Sequence, residues 1–148
     1  MRARDLVVNL PTVRPETPAI EAARLLASQR LPGLIVLEGA RRPVTILPGT
    51  DVLKMAVPRY YQSDPTLARV VDEAAADVFT DHLADQTVAE VLPDQLRELP
   101  IVDDDATALE VASLLARSRS PLVAVVDDAG AFIGAVTVDG LLARLLAR

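Results

Sequence analysis

The apolar residues of this chain fall into two kinds of run. Ile20, Ala23 and Ala27 recur at helical spacing, and so do Leu109, Ala112 and Ala116. This predicts helices over about residues 18–30 and 107–119. Short apolar-rich runs follow each of them: 34–37 then 44–47, and 122–126 then 132–136. These predict pairs of buried strands, with turns at Glu38-Gly39 and over residues 127–130. Short extended pieces, Thr12-Val13 and Ile101-Val102, precede the helices. A last helix begins near Thr50 in one half and near Val138 in the other. Thr107 and Glu110 have capping-box spacing, and Pro18 suits a first helical turn.

The two halves are one pattern written twice. Pro11 and Pro100 are 89 positions apart, and the same offset pairs Leu10 with Leu99, Val13 with Val102 and Glu21 with Glu110. It pairs Leu25 with Leu114, Leu26 with Leu115, Arg30 with Arg119, Pro32 with Pro121, Val36 with Val125 and Leu53 with Leu142. No gap is needed from residue 10 to residue 53, so chance does not account for the register. Residues 1–57 form the first copy, 58–86 an excursion and 87–148 the second copy. Within the excursion, Asp64-Pro65 reads as a helix start, and Leu67, Val70, Val71, Ala74 and Val78 lie on one helical face. A short piece, residues 87–92, echoes residues 3–7.

Composition narrows the classes. Of 148 residues, 51% are apolar and 24% charged, which is globular rather than disordered. Aromatics are 3%, so Leu, Val, Ile and Ala must build the core. No apolar run approaches the ~20 residues of a membrane span. Without cysteine there is neither a disulfide nor a thiolate metal site, which fits a reducing, cytoplasmic setting. A net charge of −6 and a pI near 4.7 disfavour nucleic acid and anionic membranes. His82 is the only histidine, so no His cluster or Ser-His-Asp triad exists, and no glycine pattern matches a phosphate loop. Asp103, Asp104 and Asp105 read as a solvated turn. Catalytic and metal-ligating residues are therefore set at none.

A β-α-β-β-α unit written twice, with Pro32 and Pro121 before the second strand of each copy and Gly134 before Thr137, resembles a CBS domain pair (Bateman module). The resemblance implies an α/β (α+β) fold of two pseudo-twofold related units, usually assembled as a disc-shaped dimer. It implies regulation by adenosine ligands such as AMP, ATP, ADP or S-adenosylmethionine, no catalysis and no required cofactor. It also implies two ligand slots, each pairing the first turn of one copy with the Thr/Ser-x-x-Asp turn of the other.

Slot one then draws on Thr17, Ala22, Gln29 and Arg30 with Thr137, Asp139 and Gly140. Slot two draws on Ala106, Val111, Ser118 and Arg119 with Pro48, Thr50 and Asp51. A hydroxyl with helix N-terminal amides suits a phosphate, and a carboxylate suits a ribose diol. Slot one has Gly140 where the ribose Asp is expected; slot two keeps Asp51 but has Pro48 for the Thr. Equally, Thr50, Asp51, Thr137 and Asp139 can be plain helix caps.

Two functional readings follow. One is a stand-alone regulatory module that senses an adenosine-type ligand and signals to a partner enzyme or transporter. The other is a dimeric scaffold whose slots are degenerate. Both carry a homodimer, because Leu141, Leu142, Leu145 and Leu146 and their counterparts Val52, Leu53 and Met55 make wide apolar stripes. The pairs Leu25-Leu26 and Leu114-Leu115 are expected to join that surface.

Overall fold

A computed structural model of the chain describes residues 1–56 and 75–147. Its elements in chain order are α1 (Ala3–Leu6), β1 (Thr12–Val13), α2 (Ala19–Ser28), β2 (Leu34–Glu38), β3 (Arg42–Leu47), α3 (Gly49–Ala56), α4 (Ala75–Leu83) and α5 (Val88–Val91). The second copy continues with β4 (Ile101–Asp103), α6 (Ala108–Ser118), β5 (Leu122–Val126), β6 (Phe132–Thr137) and α7 (Val138–Leu146). The expected helix face of Leu67, Val70, Val71 and Ala74, with Asp64-Pro65, lies outside the described residues, as does the side chain of Val78.

Each copy builds one three-stranded sheet, β1-β2-β3 and β4-β5-β6. The first pair of each is parallel, since a helix crosses between the strands, and the second is an antiparallel hairpin. The register shift between Val36 and Leu37 recurs between the equivalent residues Val125 and Val126. This is the mixed α/β fold that the repeat implied.

The strands carry apolar residues without alternation because both faces are covered. Leu34 and Val36 of β2 face the helices of their own unit, with Ala19, Ala22 and Val52. Val123 and Val125 of β5 do the same beside Val111, Leu115 and Leu141. The intervening residues Ile35, Leu37, Leu122 and Ala124 meet Ile46, Phe132 and Ala135 in a third cluster between the two sheets. The units therefore pack sheet to sheet. Arg41 spans the same junction, its guanidinium 5.8 Å from the Phe132 ring centroid and its carbonyl accepting the Phe132 amide.

The leading segments are exchanged. α1 follows the first Met yet buries Ala3 and Leu6 in the core of the second copy, and the Ala3 amide donates to the Ala106 carbonyl at 2.7 Å. α5 buries Val88 and Val91 in the first copy, and the Val88 amide donates to the Thr17 carbonyl. Each one-turn helix is bridged to the start of the other copy's long helix, Arg2 to Thr107 and Thr87 to Pro18. Gly134 makes room for this crossing. A Cβ there would lie 3.0 Å from the Val8 carbonyl oxygen and 3.1 Å from the Val7 Cβ.

Candidate functional site

Two clefts open where the copies meet, and each draws on both. The first, about 350 Å³, is lined by Arg30, Leu31 and Pro32 after α2 and by Pro121, Thr137, Val138 and Asp139 at the β6–α7 turn. The second, about 340 Å³, is lined by Ile46, Pro48 and Thr50 at the β3–α3 turn, by Arg97 and Glu98, and by residues 118–121 after α6. Arg30, Thr137 and Asp139 thus come together in the first. Thr50, Ser118 and Arg119 come together in the second.

Other expected slot residues, Thr17, Ala22, Gln29, Ala106, Val111 and Asp51, line neither cleft. Ala22 is fully buried in the core of its unit and lines neither cleft, because the inner face of α2 must cover β2. Val111 is buried in the same way. The Thr17 hydroxyl accepts the Arg14 amide at 2.9 Å, closing the turn before α2. Gln29 caps the end of α2 through its backbone amide, which donates to the Leu25 carbonyl. Asp51 lines the second cleft no more than Ala22 does: it is 4% exposed and held from behind.

Arg30 and Arg119 share an unusual backbone. Both are left-handed, with φ of 51° and 59°. Arg119 ends α6, a position where glycine removes the Cβ clash. Arginine there costs about 1–2 kcal/mol. The strain occurs twice, at equivalent positions, and both residues line a cleft.

Thr137 is a helix cap, as the plain reading of the sequence allowed. Its hydroxyl accepts the Gly140 amide at 3.0 Å. A Cβ on residue 140 would lie 2.9 Å from that hydroxyl, so glycine lets the cap sit close over the first turn of α7.

Asp51 sits at the start of α3, where its carboxylate is gripped at both oxygens by Arg97. Arg97 Nε donates to Oδ2 at 2.7 Å and a terminal guanidinium nitrogen donates to Oδ1 at 2.9 Å. The hydrogen bond and the carboxylate charge raise the guanidinium above its ordinary range. The buried Thr45 hydroxyl donates to the Arg97 carbonyl at 2.7 Å and fixes the backbone beneath it. Sequence reasoning missed Arg97. The signal was present in the repeat: at the offset of 89, Arg97 aligns with Val8, Asp51 with Gly140 and Thr45 with Gly134.

The CBS domain family matches this chain twice, at residues 3–58 and 85–147. The chain belongs to that family. Among solved structures, a CBS domain-containing protein of unknown function from Kribbella flavida is 46% identical over 99% of both chains, with a TM-score of 0.92. CBSX2, a chloroplastic CBS domain-containing protein of Arabidopsis thaliana, is 30% identical over 133 residues, 87% of this chain. This CBS pair spans 56% of that relative's length. A structure of CBSX2 in complex with AMP shares the fold at 20% identity, with a TM-score of 0.68 over 98% of this chain and 96% of that one. Among the described residues no helix of this CBS pair is long and apolar enough to cross a membrane, and no group of three or more acidic, His or Cys side chains is placed to hold a metal.

Proposed function

We propose that this CBS pair is a non-catalytic regulatory module that binds an adenosine-type ligand in the first cleft and signals its occupancy to a partner enzyme or transporter. The observation that carries this reading is the meeting of Arg30 from one copy with Thr137 and Asp139 from the other. A cation, a hydroxyl at a helix start and a carboxylate are the chemistry that a phosphate and a ribose require. AMP bound to CBSX2 supports the ligand class. A ligand contacting both copies can bias their arrangement only through different affinity for two states, and that difference is the signal.

A second reading, a dimeric scaffold with degenerate slots, is favoured by the engaged carboxylate of Asp51 and by Gly140. Both readings include a homodimer. Leu53 and Met55 on α3 and Leu142, Leu145 and Leu146 on α7 are exposed. Of the residues expected to join that surface, Leu115 is buried in its own unit, while Leu25, Leu26 and Leu114 are partly buried and pack against theirs.

Calorimetry with AMP, ADP, ATP and S-adenosylmethionine on the whole chain separates the readings. Binding of any one of them at micromolar affinity, weakened tenfold or more in Arg30→Gly, is the expected result. That variant relieves the left-handed backbone, so a loss of binding cannot be blamed on unfolding. Absence of heat with all four ligands would leave the scaffold.

A further inference from the structure

The two copies differ at three linked positions, and all three meet at Arg97. Unit two has Val8, Gly134 and Gly140 where unit one has Arg97, Thr45 and Asp51. Leu92 and Pro100 are eight positions apart while Val7 and Pro11 are four apart, so the segment leading to Arg97 carries four extra residues. In unit two the backbone of Val8 bridges Ala135 in both directions, at 2.9 and 3.1 Å. In unit one the Thr45 hydroxyl holds the Arg97 carbonyl and the guanidinium clasps Asp51.

Position decides what the clasp does. Arg97 lines the second cleft, whose other walls include Pro48, Thr50 and Arg119. It also lines a further cleft of about 270 Å³ on its far side, where Asp51 is found with Lys54, Met55 and Gln95. Among the described residues, Arg97 is the one common to both linings. Its side chain is half-exposed while that of Asp51 is buried, so the arginine is the partner free to leave.

We propose that the Arg97–Asp51 pair is a lock on slot two, a partition that keeps the carboxylate from a ribose until Arg97 swings aside. The lock rests on the nucleotide reading above and assigns its regulation. Slot one has no counterpart, since Val8 and Gly140 cannot pair. Slot one therefore fills first, and slot two fills only as Arg97 is displaced. A nucleotide in slot two exchanges one set of hydrogen bonds on Asp51 for another, so its net affinity is reduced by the work of opening the pair.

The test is calorimetry with AMP on the whole chain, comparing wild type, Arg97→Gln, Arg97→Lys and the double variant Arg97→Gln/Asp51→Asn. Circular dichroism confirms that each is folded. The lock predicts a weak second site in wild type, strengthened tenfold or more in Arg97→Gln. Arg97→Lys, which keeps the charge but not the two-point grip, should give a smaller gain. The double variant should lose the gain, because the carboxylate is what the lock conceals. Weaker binding in Arg97→Gln than in wild type would make Arg97 a ligand contact and overturn the lock while leaving the nucleotide reading intact. Unchanged binding in Arg97→Gln would also overturn the lock, with Arg97 then neither barrier nor contact. Absence of binding by all four proteins with AMP, and equally with ADP, ATP and S-adenosylmethionine, would overturn the nucleotide reading and the lock together.

Discussion

The two copies share a register of strands, bulge and left-handed arginine, yet they close their β–α turns by different means. Unit two closes with a neutral cap: Thr137 holds the Gly140 amide and Val8 lies across Gly134 as plain backbone. Unit one closes with charge: Asp51 and Arg97 are tied at two points and Thr45 anchors the arginine from below. The contrast shows how a duplicated fold keeps its geometry while its two turns take on different chemistry. The same backbone turn is stabilised in one copy by a hydroxyl and in the other by a long-range ion pair.

Substitutions at equivalent positions sharpen this contrast. The largest effect is expected at Gly134→Val, where the new side chain meets the Val8 carbonyl and the Val7 side chain at close range. It should cost about 3 kcal/mol in denaturant unfolding, with no loss of strand content in unit one. Arg97→Met removes the partner of a buried carboxylate and should cost about 2 kcal/mol, whereas Val8→Met at the equivalent, exposed site should stay within about 0.5 kcal/mol. Equal costs for the two would erase the distinction between a charged and a neutral closure. Thr137→Val removes the cap of α7 and should cost about 1 kcal/mol of stability. The same variant should weaken nucleotide binding by about 1–3 kcal/mol by calorimetry if the hydroxyl also serves the ligand. The smallest effect is a gain. Arg30→Gly should raise the free energy of unfolding by up to about 1 kcal/mol, because it relieves a left-handed backbone. Arg30→Ala, which keeps a Cβ there, should give none of it.

Assembly is a further check. With Leu142, Leu145 and Leu146 exposed on α7 and Leu53 and Met55 on α3, light scattering at micromolar concentration should give about twice the chain mass of 15.8 kDa. High salt should leave that value unchanged, since apolar burial is not screened.

The repeat made most of the architecture legible. Positions 18–30 and 107–119, the two hairpins and the Thr107–Glu110 capping box follow from local spacing and stand in the structure, with Glu110 donating its amide to the Thr107 hydroxyl at 3.1 Å. The pairing of Arg30 with Thr137, and of Arg119 with Thr50, rested on the family resemblance. What escaped was non-local. Nothing in the run from Ala3 to Leu6 tells which copy it covers, because a short amphipathic turn fits either core. Arg97 escaped because its partner is 46 positions away, and because an arginine before a strand reads as an ordinary solvated residue. A list of equivalent positions that differ between the copies would have pointed to it. Ala22 illustrates the converse: the family resemblance placed it in the slot, and the spacing of Ile20, Ala23 and Ala27 marked the helix, yet the face that α2 buries is that of Ala19 and Ala22.

The exchange of leading segments bears on how the chain comes into being on a ribosome. Arg2 and its acceptor, the Asp105 carbonyl, are 103 positions apart. At roughly 5–20 residues per second, α1 emerges roughly 5–20 s before the core that will hold it. During that interval Ala3 and Leu6 have no native partner, and unit one is still waiting for Val88 and Val91. Unit one can close once Val88 and Val91 have emerged, whereas unit two joins α1, made long before, to strands and helices made after it. Closure over so long a stretch is entropically slow, and the late step should be the docking of α1 against Ala106. The end of α7 lies beside that step, since Arg144 donates to the Asp5 carbonyl at 3.0 Å. α7 thus fastens α1 across 139 positions of the chain.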